Sequence, residues 1–213
     1  MDFMSIDQQK QKDSLLKRID ELRNQLRQVD PETLARNTAI QFEKQESKRG
    51  EFKFQFLKQP LCLDFPGLEL IHADSKKVAN HQIQALVFYY FRAADGSPLS
   101  QRWISFSEIP NGLFYNQAFQ GYTGNRLVKN YQNNLVRFSN RARSLEGVET
   151  EFGDAAFRFQ MLPRLPLLVA AWQGDEDFPA SYKILFDASI SHYLPTDACA
   201  IAGSMLTGML LKE

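Results

Sequence analysis

Cysteine is nearly absent from the chain: Cys62 and Cys199 are the only two in 213 residues, far apart and without a Cys-x-x-Cys spacing. That scarcity argues against a disulfide framework, a zinc ribbon, or an iron-sulfur cluster held by this chain alone. Both are flanked by apolar residues and read as buried free thiols. Long hydrophobic runs are missing too, the longest (Leu165 to Trp172) falling far short of the roughly 20 residues a bilayer span needs. The first residues, Met1-Asp-Phe-Met-Ser-Ile-Asp7, have neither a basic n-region nor an apolar h-region, so the expectation is a cytoplasmic protein without a membrane partner. No excess of one charge exists either, with 25 basic and 25 acidic residues and a net charge of zero, which argues against a nucleic-acid partner. No Gly-x-Gly-x-x-Gly, phosphate-binding loop, His-Glu-x-x-His or Gly-x-Ser-x-Gly elbow occurs, and several standard enzyme classes go with them.

What is present fits a folded protein: 44% apolar and 23% charged residues, on a chain long enough for one generous core. Its charge is segregated, with 11 basic against 6 acidic residues over 51–145 and 4 against 10 over 146–213. Such segregation steers partners or draws two faces together and says little about fold. Residues 8–28 predict an amphipathic helix, with Leu15, Ile19, Leu22, Leu26 and Val29 spaced by three or four. This helix reads either as docked on its own domain or as an arm, through residues 8–29, for a homodimer or a partner helix. Asp30 and Pro31 open a second helix with Leu34, Ala35, Thr38, Ala39 and Phe42 as its stripe, ended by Gly50, and residues 44–51 read as a solvated connection.

Past Gly50 the apolar period shifts from near 3.6 to 2. Phe52 to Phe56, Leu61 to Phe65 and Leu68 to Ile71, the last pair separated by Pro66-Gly67, predict an antiparallel meander. Val78, Ile83, Leu86, Val87, Tyr90 and Phe91 give a central helix that stops at Asp95-Gly96-Ser97-Pro98. A short strand at Trp103 to Phe106 leads to helices over Leu113 to Phe119 and Leu127 to Leu145, separated by the Gly121 to Gly124 break. Glu151 to Met161 alternates, Leu165 to Trp172 reads as a buried strand, Tyr182 to Phe186 as its antiparallel partner, and Pro195-Thr196-Asp197 opens a last helix. Segregated order of this kind predicts an α+β fold, an antiparallel sheet packed with helices. The expected division is an N-terminal helical appendage over 1–29 and a single α+β domain over 30–213.

Candidate site residues fall in two groups. Trp103, Ser105, Glu108, Tyr115 and Phe119 place a carboxylate beside aromatic rings at a strand-to-helix corner, the way many pockets are lined, or else an aromatic core with a capping glutamate. Arg164, Trp172, Asp187, His192 and Tyr193 form the second group. Arg164 reads as pairing with an acid such as Glu108 or Asp175, or as holding an anion. His192 lies near Asp187 and Asp197 in sequence, and a neighbouring carboxylate would raise its pKa and suit it to acid-base work; a structural histidine at a strand end is the alternative. Asp175-Glu176-Asp177 reads as a solvated hairpin tip, with a basic partner or a cation as alternatives, and no metal site is expected.

The run Pro98-Leu-Ser-x-x-Trp103-Ile-Ser-Phe-x-Glu108-Ile-Pro-x-Gly112-x-x-Tyr115-x-x-Ala118-Phe119, with Gly153-Asp154-Ala155, Pro163-Arg164-x-Pro166, Trp172-x-Gly174-Asp175-Glu176-x-Phe178-Pro179, Ile184 to Asp187 and Tyr193-Leu-Pro-Thr-Asp197, resembles a bacterial and archaeal family. That family is the domain of unknown function numbered thirty-seven eighty-six, and the resemblance spans roughly residues 30–208. It implies no established activity. Some members of the family look joined to a cysteine-rich iron-sulfur domain of the kind seen in corrinoid proteins of one-carbon metabolism, which implies a redox or cofactor-related accessory role. This chain departs from that arrangement, having no cysteine cluster and a charged helix at its N-terminus, so an iron-sulfur function does not carry over.

Together these readings rank a small-molecule or cofactor binding or accessory module first, with Trp103, Ser105, Glu108, Tyr115, Arg164, Trp172, His192 and Tyr193 as ligand contacts. A protein-protein interaction scaffold using the N-terminal helix comes second. An enzyme with a His192/Asp187 acid-base pair, assisted by Glu108, comes third, with no cofactor specified.

Overall fold

A computed structural model describes residues 6–46 and 49–212; residues 1–5, Ser47 and Lys48 of the 44–51 connection, and Glu213 lie outside it. Two antiparallel sheets and their helices make an α+β fold, and the chain divides into two compact units. The first comprises residues up to Phe54 and Pro60–Gly96, the second Gln55–Gln59 and Ser97 onward.

In the first unit, α1 (Ile6–Leu26), α2 (Pro31–Thr38) and α3 (His81–Ala93) accompany a four-stranded sheet of β1 (Phe42–Lys44), β2 (Gly50–Phe56), β3 (Gln59–Phe65) and β4 (Leu70–His72), ordered as in the chain. The apolar line Ile19, Leu22 and Leu26 of α1 is buried, and α1 packs against α3. Polar contacts fix the pair: Arg18 Nε donates to Tyr89 Oη at 3.1 Å, Arg23 Nη2 to Gln84 Oε1 at 2.9 Å and Arg92 Nε to Gln25 Oε1 at 2.8 Å. The stripe legible in the sequence is therefore used inside the unit. α3 starts later than its apolar pattern suggests: Asn80 caps it by accepting from Ile83 N–H at 3.0 Å, and Val78 lies outside it, 54% exposed.

α2 keeps its expected start, with the Asp30 carboxylate accepting from Thr33 N–H at 3.1 Å and Pro31 at the first helical position. It ends at Thr38 rather than at Gly50, because Ala39 turns left-handed (φ 55°) and Phe42–Lys44 pairs with β2 instead. The physical reason is the Phe42 ring, which packs 4.8 Å from that of Phe52 across the strand pair.

The second unit is built on a five-stranded antiparallel sheet of β5 (Trp103–Ser105), β6 (Val148–Glu149), β7 (Ala155–Leu162), β8 (Leu165–Trp172) and β9 (Ser181–Asp187), in the order β5-β9-β8-β7-β6. Its helices are α4 (Gly112–Tyr122), α5 (Gly124–Tyr131), α6 (Leu135–Ser144) and α7 (Thr196–Leu211). The single helix expected over Leu127 to Leu145 is two. Gln132 adopts φ 48°, and Asn134 caps α6 by accepting from Arg137 N–H at 3.0 Å; an amide-rich Gln-Asn-Asn run competes with helix through such bonds.

Because strand side chains alternate, pairing fixes the two faces of this sheet. Phe157, Val169, Ile184, Phe186 and Ile104 lie on one of them. Helical rings cover it: Phe119 lies 6.0 Å from Phe186, Phe138 5.6 Å from Phe157, and Tyr131 6.0 Å from Tyr182. The opposite face carries Trp103 and Trp172. No helix among the described residues is long and apolar enough to cross a membrane.

Candidate functional site

On the face turned away from those rings, register places Ala156, Ala170 and Lys183 in one row and Arg158, Leu168, Leu185 and Ser105 in the next. Ala156, Leu168, Ala170 and Leu185 form a buried apolar cluster, and Trp103 and Trp172, both partly exposed, pack against it. β5 is an edge strand, so Trp103 reaches the cluster from one side, opposite Asp187. Trp172, at the end of β8 opposite Ser181, reaches it from the other. Small residues under large rings explain the pairing: alanines at 156 and 170 leave room for an indole to lie on the sheet.

Trp172 has two further neighbours. The Phe152 ring meets it edge to face at 5.9 Å, and the Lys183 ammonium lies 5.5 Å from its ring centroid. Beside this group a cavity of about 680 Å³ opens, lined by Glu149 through Ala156. Gly153 shapes its wall: with φ 59° it takes a conformation that L side chains avoid, and a Cβ there would stand 2.8 Å from Ala171 O and 3.0 Å from the Trp172 ring. Asp154 fixes the other end of the loop, accepting from Gln173 N–H at 2.7 Å. Glu149 is paired with Arg143 at 2.8 Å on the surface.

Asp187 is 3% exposed and holds backbone rather than a histidine. One oxygen accepts from Ser100 N–H (2.9 Å), Ser100 Oγ (3.0 Å), Ser189 N–H (2.9 Å) and Ser189 Oγ (2.6 Å), and the other accepts from Gln101 N–H at 2.7 Å. Desolvation pushes its pKa up, but the hydrogen bonds from Ser189 and Ser100 outweigh it and leave the group below its ordinary value. His192 lies in a 3-10 turn (Ile190–His192) after β9, exposed, with Nδ1 3.1 Å from Ser97 Oγ. Arg164 Nη1 donates to Ser97 O at 2.9 Å and lies 3.2 Å from Tyr193 Oη, while the buried Tyr193 donates its own hydroxyl to Ser97 O. Arg164, His192 and Tyr193 thus converge on Ser97, while Glu108 bonds Ser105 and Asp175 bonds its own turn rather than Arg164.

Glu108 and Ser105 serve each other. The carboxylate accepts from Ser105 N–H at 2.7 Å and from Ser105 Oγ at 2.8 Å, closing a capping box around a 3-10 turn (Phe106–Glu108). The backbone bond first, then the hydroxyl bond, lowers the Glu108 pKa. Carboxyl NMR titration should therefore find the Glu108 midpoint below the ordinary glutamate range, and Ser105→Ala should move it partway back; an unmoved midpoint would break this account. Tyr115 is 64% exposed on α4, apart from these groups. Asp175 Oδ1 accepts from Asp177 and Phe178 N–H at 2.9 and 2.8 Å, the turn-forming role of a hairpin tip. Among the described residues no group of three or more His, Cys, Asp or Glu side chains is arranged to hold a metal ion. Both cysteines are buried, and desolvation pushes the Cys62 thiol up to about 11 and that of Cys199 up as well, away from thiolate chemistry.

Sequence reasoning singled out Trp103 and Trp172 but missed Phe152, Lys183 and the cavity. Their signal was weak: Phe152-Gly153 precedes an alternating strand, and one-face membership of residues on three strands requires the register.

What the geometry defines is an α+β protein whose five-stranded sheet has one helix-covered face and one tryptophan-bearing face. The chain belongs to the family described as Domain of unknown function (DUF3786), whose model matches residues 30–209. Comparison with curated proteins and with solved structures gives no match.

Proposed function

We propose that the protein is a binding or accessory module that takes a small molecule with a flat apolar body on the tryptophan-bearing face of its second unit. The observation that carries this reading is the cavity of about 680 Å³ at Glu149 to Ala156, whose Phe152 is edge-on to Trp172. Its volume is in the ordinary range for ligand sites, roughly 300–1,000 Å³. A partly exposed indole supplies a stacking surface, and its rigid ring orders at little entropic cost.

The alternative of acid-base catalysis draws no support from Asp187, whose two oxygens are occupied by Ser100, Gln101 and Ser189. Nor does it gain from Glu108, which closes its own turn. Arg164, His192 and Tyr193 act together on Ser97 and are read as fixing the start of the second unit, with the ligand left to Phe152 and Trp172.

A direct readout exists because the chain has two tryptophans and both lie on this face. Native mass spectrometry of the purified protein, followed by a small-molecule panel read by tryptophan emission, should yield a ligand that quenches or shifts that emission. Phe152→Ala, a change at a 37% exposed ring that leaves the fold intact, should weaken binding at least tenfold. A ligand that binds without touching tryptophan emission, or that binds Phe152→Ala equally well, would overturn the reading.

A further inference from the structure

Phe152 and Trp172 stand with ring planes 72° apart and centroids at 5.9 Å, so they form two walls of a corner rather than a sandwich. The faces of aromatic rings are electronegative, and a corner of this kind favours a positive group over a neutral or negative one. The chain itself shows the preference at Trp172, whose ring holds the Lys183 ammonium 5.5 Å from its centroid.

The carboxylates at the cavity point the same way. Glu149, Glu151 and Asp154 all line it, but they are not equally committed. Glu149 pairs across the strands with Phe157, which puts its side chain on the helix-covered face, where Arg143 offsets it at 2.8 Å. Asp154 accepts from Gln173 N–H through Oδ2 alone, a bond to a neutral group that leaves its charge in place. Glu151 is exposed and makes no hydrogen bond or ion pair among the described residues. Lys183 offsets at most one of these two remaining carboxylates. Arg158 shares the sheet face but belongs to the row of Leu168, four residues along β8 from Trp172 and so about 13 Å away at a strand's rise. The hairpin that follows Trp172 adds Asp175, Glu176 and Asp177 to the negative side.

We infer, on the basis of the binding site proposed above, that its ligand is a cation: a flat aromatic or heteroaromatic body carrying a quaternary or protonated nitrogen. The cavity and the ring corner make the site, and the carboxylates decide the charge of what enters it. The nitrogen sits in the corner, against the ring faces, with Glu151 and Asp154 as its counter-charges. In an open, well-hydrated site a carboxylate about 5 Å from a ligand cation is worth about fivefold in affinity, and salt reduces that further. The ring faces add a comparable factor for a cation that keeps part of its hydration.

Three probes that share one flat body and differ in charge test this: N-methylquinolinium, quinoline and quinoline-2-carboxylate, a cation, a neutral molecule and an anion. Each is titrated at neutral pH into the full-length chain to about 10 mM, the range in which ligands of this size bind. The readout is the indole N–H resonance of Trp172, told from that of Trp103 with Trp103→Phe. N-methylquinolinium should move it with a Kd about tenfold below that of quinoline, and quinoline-2-carboxylate should bind most weakly. Glu151→Gln changes an exposed side chain and leaves the fold intact. It should raise the N-methylquinolinium Kd about threefold and leave that of quinoline unchanged. Equal affinity for cation and neutral body, with both weakened by Phe152→Ala, overturns the charge assignment and leaves the site itself standing. Tighter binding of the carboxylate does the same, as does a cation whose affinity ignores Glu151→Gln. If no probe moves the Trp172 resonance, or if each binds Phe152→Ala as well as the unaltered chain, the site fails and the charge assignment with it.

Discussion

Phe119→Ala should lower the stability of the second unit by about 4 kcal/mol, read as a lower denaturant midpoint at unchanged slope. The ring is fully buried, stacked on Phe106 with centroids 4.1 Å apart and planes 9° from parallel, and it reaches Phe186 at 6.0 Å. Its removal leaves a cavity between the sheet and two helices, and close-packed neighbours relax into such a space only in part. Gly203 faces the same ring, and a Cβ there would stand 2.7 Å from its edge. Gly203→Ala alone should therefore cost about 2 kcal/mol through overpacking. In the double variant the new methyl occupies part of the space the ring vacated, so the combined loss should fall at least about 1 kcal/mol short of the sum. Strict additivity would show that ring and glycine do not share that space.

Asp187→Ala should cost about 3 kcal/mol, because it strips a buried carboxylate from three backbone N–H groups and two hydroxyls that have little water to turn to. The affected groups are those of Ser100, Gln101 and Ser189, so amide hydrogen exchange should accelerate there first. Asp187→Asn should recover only part of the loss: one amide oxygen still accepts, but the amide nitrogen turns a donor toward a donor. The pH dependence has a definite sign. The folded-state pKa lies below the ordinary aspartate value of 3.8, so the stabilisation is fully present above that value and is lost as pH falls through the lower, folded one. Stability of Asp187→Ala should accordingly depend less on pH in the acid range. Equal acid sensitivity of the two proteins would show that other carboxylates set it.

Much of the element order was legible. The 3.6 period at Leu15, Ile19, Leu22 and Leu26, the Asp30-Pro31 start and the continuous apolar run of β8 rest on local preferences, and the structure keeps all three. Where local signals were ambiguous, the expectation failed at boundaries. Phe42 suits a helix stripe as well as a strand, and the tie was broken by a ring, that of Phe52, ten residues away. Val78 fits the apolar period of α3, yet Asn80 offers a better cap.

The candidate site was legible in kind but not in grouping. Trp103 and Trp172 stand apart in the chain and meet on one cluster because β9 and β8 bring their strands into one sheet. Asp187 and His192 are five residues apart and serve different partners, because β9 ends at Asp187 and the 3-10 turn carries His192 to Ser97. Glu108 and Ser105, three apart, bond each other, as their capping spacing allows.

By itself, the sequence determined the class of fold, the number and kind of most elements, and the family resemblance. Each of these depends on composition or on periods of a few residues. Tertiary structure alone decided which side of the sheet each tryptophan occupies and that Asp187 is a backbone clasp. Those outcomes follow from strand register and helix packing, where a one-residue shift reverses every side chain and no local pattern records the choice.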